Sequence, residues 1–375
     1  MMSDDPEKTA FKDWFDASAA KALAKQIKAV KPDFESKKFI NAACRDLDSL
    51  EMMARVAQFA EALRDRLPEE IPDALDVLVA SLPEAMQDCE AITEGWLQWP
   101  IGYFIGTYCV DYYAESLHAM IEFTQRFSAE FAIRPFADRY PEQVFDDLLH
   151  LAQTHHSPHV RRWASEGIRP RLPWGRKLRG LIGDPSPLWP ILESLKDDPE
   201  LYVRRSVANN LNDIAKDHPE AVVARCKKWA KGASAERLWV IKHGLRSLIK
   251  NGHPGALAII GFPPPKHIEL ALKVSPKTIE VGEPVKIELR VSNHHERTQN
   301  LIIDYAVGFV RQGGKMGRKV FKGTTLKLGA RESAKWNKAH PMKITTVRRL
   351  YSGIHTLEVQ VNGQTLARGE FTLKL

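Results

Sequence analysis

The stretch VRRWASEG, beginning at Val160, has a counterpart in VRRSVANNLND, which begins 43 residues later at Val203. In both, charged or polar side chains recur every three or four residues, the spacing that gathers them on one face of an α-helix. The first stretch offers Arg162, Glu166 and Arg169, and the second Arg205, Asn209 and Asp213. A short helix returning at such an interval cannot bury its apolar side alone. It must stack on its copies, which points to helical repeats of HEAT-like type presenting a common surface. The phrases AKDHP, ending at Pro219, and IKNGHP, ending at Pro254, read as equivalent helix exits 35 residues apart.

From Asp13 to about Leu257 the helical period holds, and Pro68, Pro72, Pro83, Pro141, Pro158, Pro199, Pro219 and Pro254 cut the region into short helices. An irregular helical bundle is the alternative arrangement. After Pro263-Pro264-Pro265 the period changes to two: Ile268, Leu270, Leu272 and Val274, then Val285, Ile287, Leu289 and Val291, then Leu357, Val359 and Val361, then Phe371 and Leu373. Val361-Asn362-Gly363-Gln364 carries the Asn-Gly signal of a tight hairpin. The chain is therefore expected to be mainly α, a HEAT-like-repeat α-solenoid over residues 1–262 followed by an all-β immunoglobulin-like sandwich over 267–375. Arg311 to Lys322, with Gly313-Gly314 and five basic residues, reads as a mobile cationic loop able to touch a phosphate backbone, with a solvated hairpin tip as the alternative for any one of its lysines.

Charge is unevenly distributed. Lys and Arg exceed Asp and Glu by 7 over the whole chain, yet the first 149 residues carry an excess of 13 acidic groups, residues 150–265 an excess of 9 basic groups and residues 266–375 an excess of 11. Such polarity fits a face that meets nucleic acid and is poor support for a membrane surface. No apolar run approaches membrane-spanning length, and the stretch Ala17 to Ala29 is interrupted by Lys21, Lys25 and Lys28, unlike a signal peptide. A cytoplasmic protein is expected. Cys44, Cys89, Cys109 and Cys226 are widely spaced, so neither a disulfide framework nor a zinc site is indicated and reduced, buried thiols are expected. His155, His156 and His159 lack carboxylate or thiolate partners at ligand spacing, so no metal is expected there.

The helix from His159 to Ile168 should bury Val160, Trp163 and Ala164 and project Arg162 and Glu166. A solvated i, i+4 salt bridge is the plain interpretation of that pair. Against it stand RPRLPWG, whose prolines stiffen a loop displaying Arg169, Arg171 and Trp174, and Asp213 one repeat later, a second carboxylate able to converge with Glu166. Converging carboxylates beside an aromatic ring can stabilise a cationic sugar and place a water. FSAEFAIRPF sets Glu130 and Arg134 at i, i+4 among Phe127, Phe131 and Phe136. Either the two form a structural bridge, or Glu130 faces the concave site. Lys242, Arg246 and Lys250 have the spacing of phosphate contacts, although a basic outer face would look the same.

Taken together, FSAEFAIRPF, VRRWASEGIRPRLPW, VRRSVANNLNDIAKDHP and WVIKHGLRSLIKNGHP resemble the AlkC branch of the HEAT-like-repeat alkylpurine DNA glycosylases. The resemblance covers essentially the helical region, and the basic C-terminal part looks like the immunoglobulin-like extension of a subset of that branch, which helps encircle DNA. It implies base-excision repair: hydrolysis of the N-glycosidic bond of cationic N3- and N7-alkylated purines, chiefly 3-methyladenine, with no cofactor and no base-flipping pocket. Its partner would be double-stranded DNA containing alkylated bases, bound by a monomer.

Carried onto matching positions, the resemblance makes Glu166, Asp213 and Glu130 the catalytic carboxylates, with Trp174 packing on the deoxyribose or nucleobase. Arg162 would hold the adjacent phosphate, and Arg169, Arg171, Arg205, Lys242 and Arg246 would be further DNA contacts. An alkylated purine is already positively charged and needs no strong acid to leave, so electrostatic stabilisation of an oxocarbenium-like sugar suffices. No lysine stands out as a Schiff-base nucleophile. The rival expectation is a HEAT-repeat module that binds DNA or a protein without catalysis.

Overall fold

The computed structural model describes residues 10–344 and 349–375. The chain divides into two compact units, Met1–Asp217 with Ala235–Gly244, and His218–Ser234 with Leu245–Leu375.

The first unit is helical, and its helices run to at most 14 residues, as in Ala17–Val30, Pro141–Thr154 and Leu201–Ile214. Sequence chemistry sets many of their starts. Asp16 Oδ1 accepts from the backbone N–H groups of Ser18 and Ala19, and Pro141 and Pro158 occupy first-turn positions where no N–H is needed. Two VRR segments form the helices Pro158–Glu166 and Leu201–Ile214. They pack against each other, and Ala235–Gly244 also packs on Leu201–Ile214. Behind Pro158–Glu166 lies Pro141–Thr154, itself backed by Leu188–Leu195. Val160, Trp163, Ala164, Val203, Val207 and Leu211 are fully buried between these layers. This is the stacking that HEAT-like repeats need to bury a face that each helix leaves open. No helix is long and apolar enough to cross a membrane among the described residues.

In the second unit the helices Pro219–Trp229, Arg246–Lys250 and Pro254–Ile259 precede eight strands. The strands are β1 (Ile268–Ser275), β2 (Thr278–Glu280), β3 (Pro284–Asn293), β4 (Gln299–Val310), β5 (Met316–Leu328), β6 (Ser333–Pro341), β7 (Gly353–Val361) and β8 (Gln364–Lys374). A three-stranded sheet, β1-β3-β6, and a five-stranded sheet, β2-β8-β7-β4-β5, form an immunoglobulin-like sandwich. Alternation places Val285, Ile287, Leu289 and Val291 of one sheet in a common core with Leu301, Ile303, Val307, Leu357, Val359 and Phe371 of the other.

The Asn-Gly signal forms the turn it promises. Asn362 and Gly363 both have positive φ, 47° and 81°, and Val361 pairs with Gln364. Of the two readings of Arg311 to Lys322, the structure forms the hairpin and not the mobile loop. Only a short turn around Gln312–Gly314 separates the strands, and Met316–Leu328 is paired along β4 from Met316 opposite Val310 to Leu328 opposite Gln299. Hydrogen bonding to β4 outweighs the polarity that made the segment look like loop.

Candidate active site

Five buried or partly buried side chains of the first unit alternate in sign along one line. Arg162 Nη1 lies 2.6 Å from Glu130 Oε2 and Arg162 Nη2 lies 3.5 Å from Glu166 Oε1. Arg169 Nη1 donates to the same Glu166 oxygen at 2.6 Å, and its Nε and Nη2 reach Asp213 Oδ2 at 2.9 and 2.8 Å. Lys216 Nζ, on the solvent side, lies 2.8 Å from Asp213 Oδ1.

The five members come from four places in the repeats. Glu130 precedes the helix Ile133–Arg139, Arg162 and Glu166 lie on Pro158–Glu166, Arg169 opens the proline-stiffened loop, and Asp213 closes Leu201–Ile214. The line holds because helix stacking puts these positions at one level.

Ion pairing decides the charge states. Burial acts against the charged form of Glu166, but Arg162, Arg169 and a hydrogen bond from Ser206 outweigh it, and its pKa falls below the usual carboxylate value. The Arg162 pKa is pulled down by burial, then driven above its ordinary value by Glu130, Glu166 and Tyr202. Arg169 is raised in the same way, by Glu166 and Asp213. The Arg162 guanidinium also lies 5.3 Å from the centre of the Tyr202 ring.

The carboxylates differ in what remains open. Both oxygens of Glu166 are engaged, Oε1 by arginine and Oε2 by Ser206 at 2.6 Å. Both oxygens of Asp213 are taken by Arg169 and Lys216, and it is 2% exposed. Glu130 is bound through Oε2, by Arg162 and Ser128.

A cleft of about 380 Å³ opens on this line, with Ser128, Glu130, Arg162, Glu166 and Arg169 on one side and Trp99, Phe127, Phe131 and Trp174 among its aromatic residues. The rings of Phe131 and Trp174 stack on Trp99, at 5.4 Å and 14° and at 6.2 Å and 13°. Trp174 is 69% exposed and stands at φ 62°, a left-handed conformation unusual for a tryptophan. Its loop is held from beneath by Arg134, which is fully buried and donates to the carbonyls of Arg176 and Gly167, both at 2.7 Å. Burial lowers the Arg134 pKa to about 10.

The structure thus brings together Glu130, Arg162, Glu166, Arg169, Asp213 and Trp174. Glu130 takes the second of its two sequence alternatives: it pairs with Arg162, while Arg134 serves the loop backbone. Arg169 is placed inward between two carboxylates, where the family resemblance had offered it as a DNA contact. Arg171 pairs with Asp217 at 2.8 and 2.9 Å, apart from the cleft. Arg205 and Lys242 are exposed and Arg246 is half-buried in the second unit.

Of the face read as Arg205, Asn209 and Asp213, it is Asp213 that turns toward the first repeat. Ser206, Asn210 and Asp213 point inward, all at most 2% exposed, while Arg205 points out. Sequence reasoning missed Ser206, Ser128 and Lys216. The signal available was helical spacing from Asp213, seven positions for Ser206 and three for Lys216, which equally describes an ordinary helix surface; Ser128 had only its place two residues before Glu130. Among the described residues no group of His, Cys, Asp and Glu is arranged to hold a metal ion.

Comparison with known proteins agrees with this geometry. Residues 269–375 match the family model described as the C-terminal Ig-like domain of the uncharacterised protein YhaZ. The uncharacterized protein YhaZ of Bacillus subtilis (strain 168) is 36% identical over 344 residues, spanning 91% of this chain and 93% of that protein. Among solved structures, the Pseudomonas fluorescens alkylpurine DNA glycosylase AlkC bound to DNA containing an abasic site analog is 34% identical. It superposes with a TM-score of 0.82 over 98% of this chain and 100% of that one. A likeness of that extent in sequence and fold, over both the helical repeats and the sandwich, shows that the chain belongs to the AlkC-type alkylpurine DNA glycosylase family, in the form that carries a C-terminal immunoglobulin-like domain.

Proposed function

We propose that this protein is a monofunctional DNA glycosylase that hydrolyses the N-glycosidic bond of cationic N3- and N7-alkylated purines, chiefly 3-methyladenine, in base-excision repair. The observation that carries this reading is the Glu130–Arg162–Glu166–Arg169–Asp213 line beside an aromatic cleft. A module that only held DNA would gain nothing from carboxylates facing a phosphate backbone, since each repels it.

In the reaction, the bond between C1′ and the purine nitrogen breaks and its electron pair neutralises the cationic base. The sugar is left as an oxocarbenium-like species. Glu166, held anionic with both oxygens tied, supplies fixed negative charge to that species without reorganising. Glu130 is the carboxylate best suited to take a proton from water as its oxygen adds to C1′, because its Oε1 lies outside the Arg162 bridge. Asp213 acts through Arg169, and Trp174 offers an exposed ring to the sugar or base. The spent base leaves neutral and the DNA keeps an abasic site. A carboxylate line at a surface cleft, in place of an enclosed base pocket, favours action on a lesion that stays in the duplex.

DNA contact is assigned to Arg162 at the lesion and to Arg205, Lys242 and Arg246 along the backbone, with Arg171 available if its pair with Asp217 opens. Basic residues of the sandwich, including Arg311, Arg318, Lys319 and Arg349 around one cavity, are further DNA contacts in this reading. The protein would work as a cytoplasmic monomer and needs no cofactor for these steps.

The test is release of 3-methyladenine and 7-methylguanine from methylated DNA, measured by mass spectrometry for the wild type and for Glu166→Gln. Release by the wild type and not by the variant, with DNA affinity kept, is the expected result. Absence of release by wild-type protein that binds the DNA tightly would favour a non-catalytic clamp.

A further inference from the structure

Resting on the glycosylase reading, we propose that Ser206 is a positioning residue for Glu166: its hydroxyl ties Glu166 Oε2 to the neighbouring repeat, so that Oε1 stays turned toward the arginines and the cleft. The contact is short, Ser206 Oγ donating to Oε2 at 2.6 Å, and Ser206 is 2% exposed.

It is one of three buried contacts from Leu201–Ile214 to the Glu166 segment. Asn210 Nδ2 donates to the Ser165 carbonyl at 2.9 Å, and Asp213 receives Arg169. The three residues lie at i, i+4 and i+7, a single stripe along the helix. A carboxylate at the end of a helix can rotate about its last torsion, and the two arginines hold only Oε1. Without Ser206, Oε2 would be a desolvated anionic oxygen with no donor, and the group would rotate or take up a proton.

The charged groups facing Glu166 are Arg162 on its own helix, with Glu130 behind it, and Arg169 on the loop, with Asp213 behind it. Tyr202 and Ser206 face it from Leu201–Ile214. Each acidic neighbour is paired to an arginine, so Ser206 is the neutral donor whose loss changes the balance at Oε2.

The experiment compares wild type, Ser206→Ala and Ser206→Cys in full-length protein, measuring single-turnover release of 3-methyladenine from about pH 3 to 9 with spontaneous depurination subtracted, a range that reaches below the ordinary carboxylate pKa. DNA affinity is read with a duplex bearing an abasic-site analogue, and the Glu166 side-chain carboxyl carbon is followed by NMR. Ser206→Ala should lose roughly tenfold or more in rate, the size expected for a hydrogen bond to a charged group. Its acid limb and the Glu166 NMR titration should both move to higher pH, with affinity for the abasic analogue within about threefold. Ser206→Cys, close in size but a weaker donor, should fall between.

A folded Ser206→Ala protein with wild-type rate, acid limb and titration would overturn the proposal while leaving the hydrolytic reading intact. Wild-type protein that releases no base would overturn both. If Ser206→Ala does not fold, an unshifted limb and titration in Ser206→Cys would overturn the proposal.

Discussion

Arg169 and Asp213, set on two successive repeats, meet through Nε and Nη2 of the guanidinium on one carboxylate oxygen, at 2.9 and 2.8 Å, with both residues buried. This pair makes the active-site line continuous. Through it the second repeat acts on Glu166 of the first, and the arginine is committed to structure within the site.

Removal of that arginine should therefore cost more than an exposed ion pair would. Arg169→Ala leaves Glu166 and Asp213 short of their shared cation in a buried setting, and destabilisation of about 3–5 kcal/mol is expected. Urea unfolding at neutral pH measures it. A loss below about 1 kcal/mol would mean that water or Lys216 readily replaces the guanidinium.

Trp174 should show the opposite profile. Its ring is 69% exposed and its stacking is with Trp99 at the cleft rim, so Trp174→Ala is expected to change stability by only about 0.5 kcal/mol. Release of 3-methyladenine should nevertheless fall by roughly tenfold or more if the ring packs on the sugar. The two measurements together separate a substrate contact from a core residue.

Acid should weaken the fold through histidine as well as carboxylate. Burial lowers the pKa of His159 in the first unit and of His355 in the sandwich below the ordinary 6.5. The unfolded chain then binds protons near 6.5 that the folded chain still refuses. Stability is full above that value and declines as pH falls from it toward the folded pKa. For Glu166 the sign is that of a lowered carboxylate: its contribution is present above 4.5 and is lost as pH falls through the lower folded value. Urea midpoints between pH 8 and 5 should fall on the acid side, and His355→Phe should flatten the part due to the sandwich.

The hairpin turn should not accept a side chain. Gly363 stands at φ 81°, and a Cβ there would meet the Gly252 carbonyl oxygen, which together with strain predicts a loss of at least about 1 kcal/mol for Gly363→Ala. Thermal unfolding of the variant measures this, and an unchanged midpoint would show that the Gly252 segment moves aside at little cost.

Periodicity and turn chemistry are local properties, so the sequence by itself determined the helical repeats, the eight-strand region's alternation, the Asn-Gly hairpin and the spacing that joins Arg162 to Glu166. It also left Glu130 two readings, a bridge to Arg134 or a place at the concave site. The choice fell to tertiary structure, because Arg134 has two backbone carbonyls to serve at the Trp174 loop while Arg162 arrives from the next helix. In the same way, Arg205 and Asn209 shared a helical face with Asp213 on paper, yet a rotation of that helix buries Ser206 and Asn210 instead. Arg311 to Lys322 was polar enough for a loop, and only a neighbouring strand with unpaired backbone groups made most of it strand. Local sequence specifies which faces a segment owns; which of those faces meets a partner depends on burial and pairing with residues far along the chain, and that is a property of the packed fold alone.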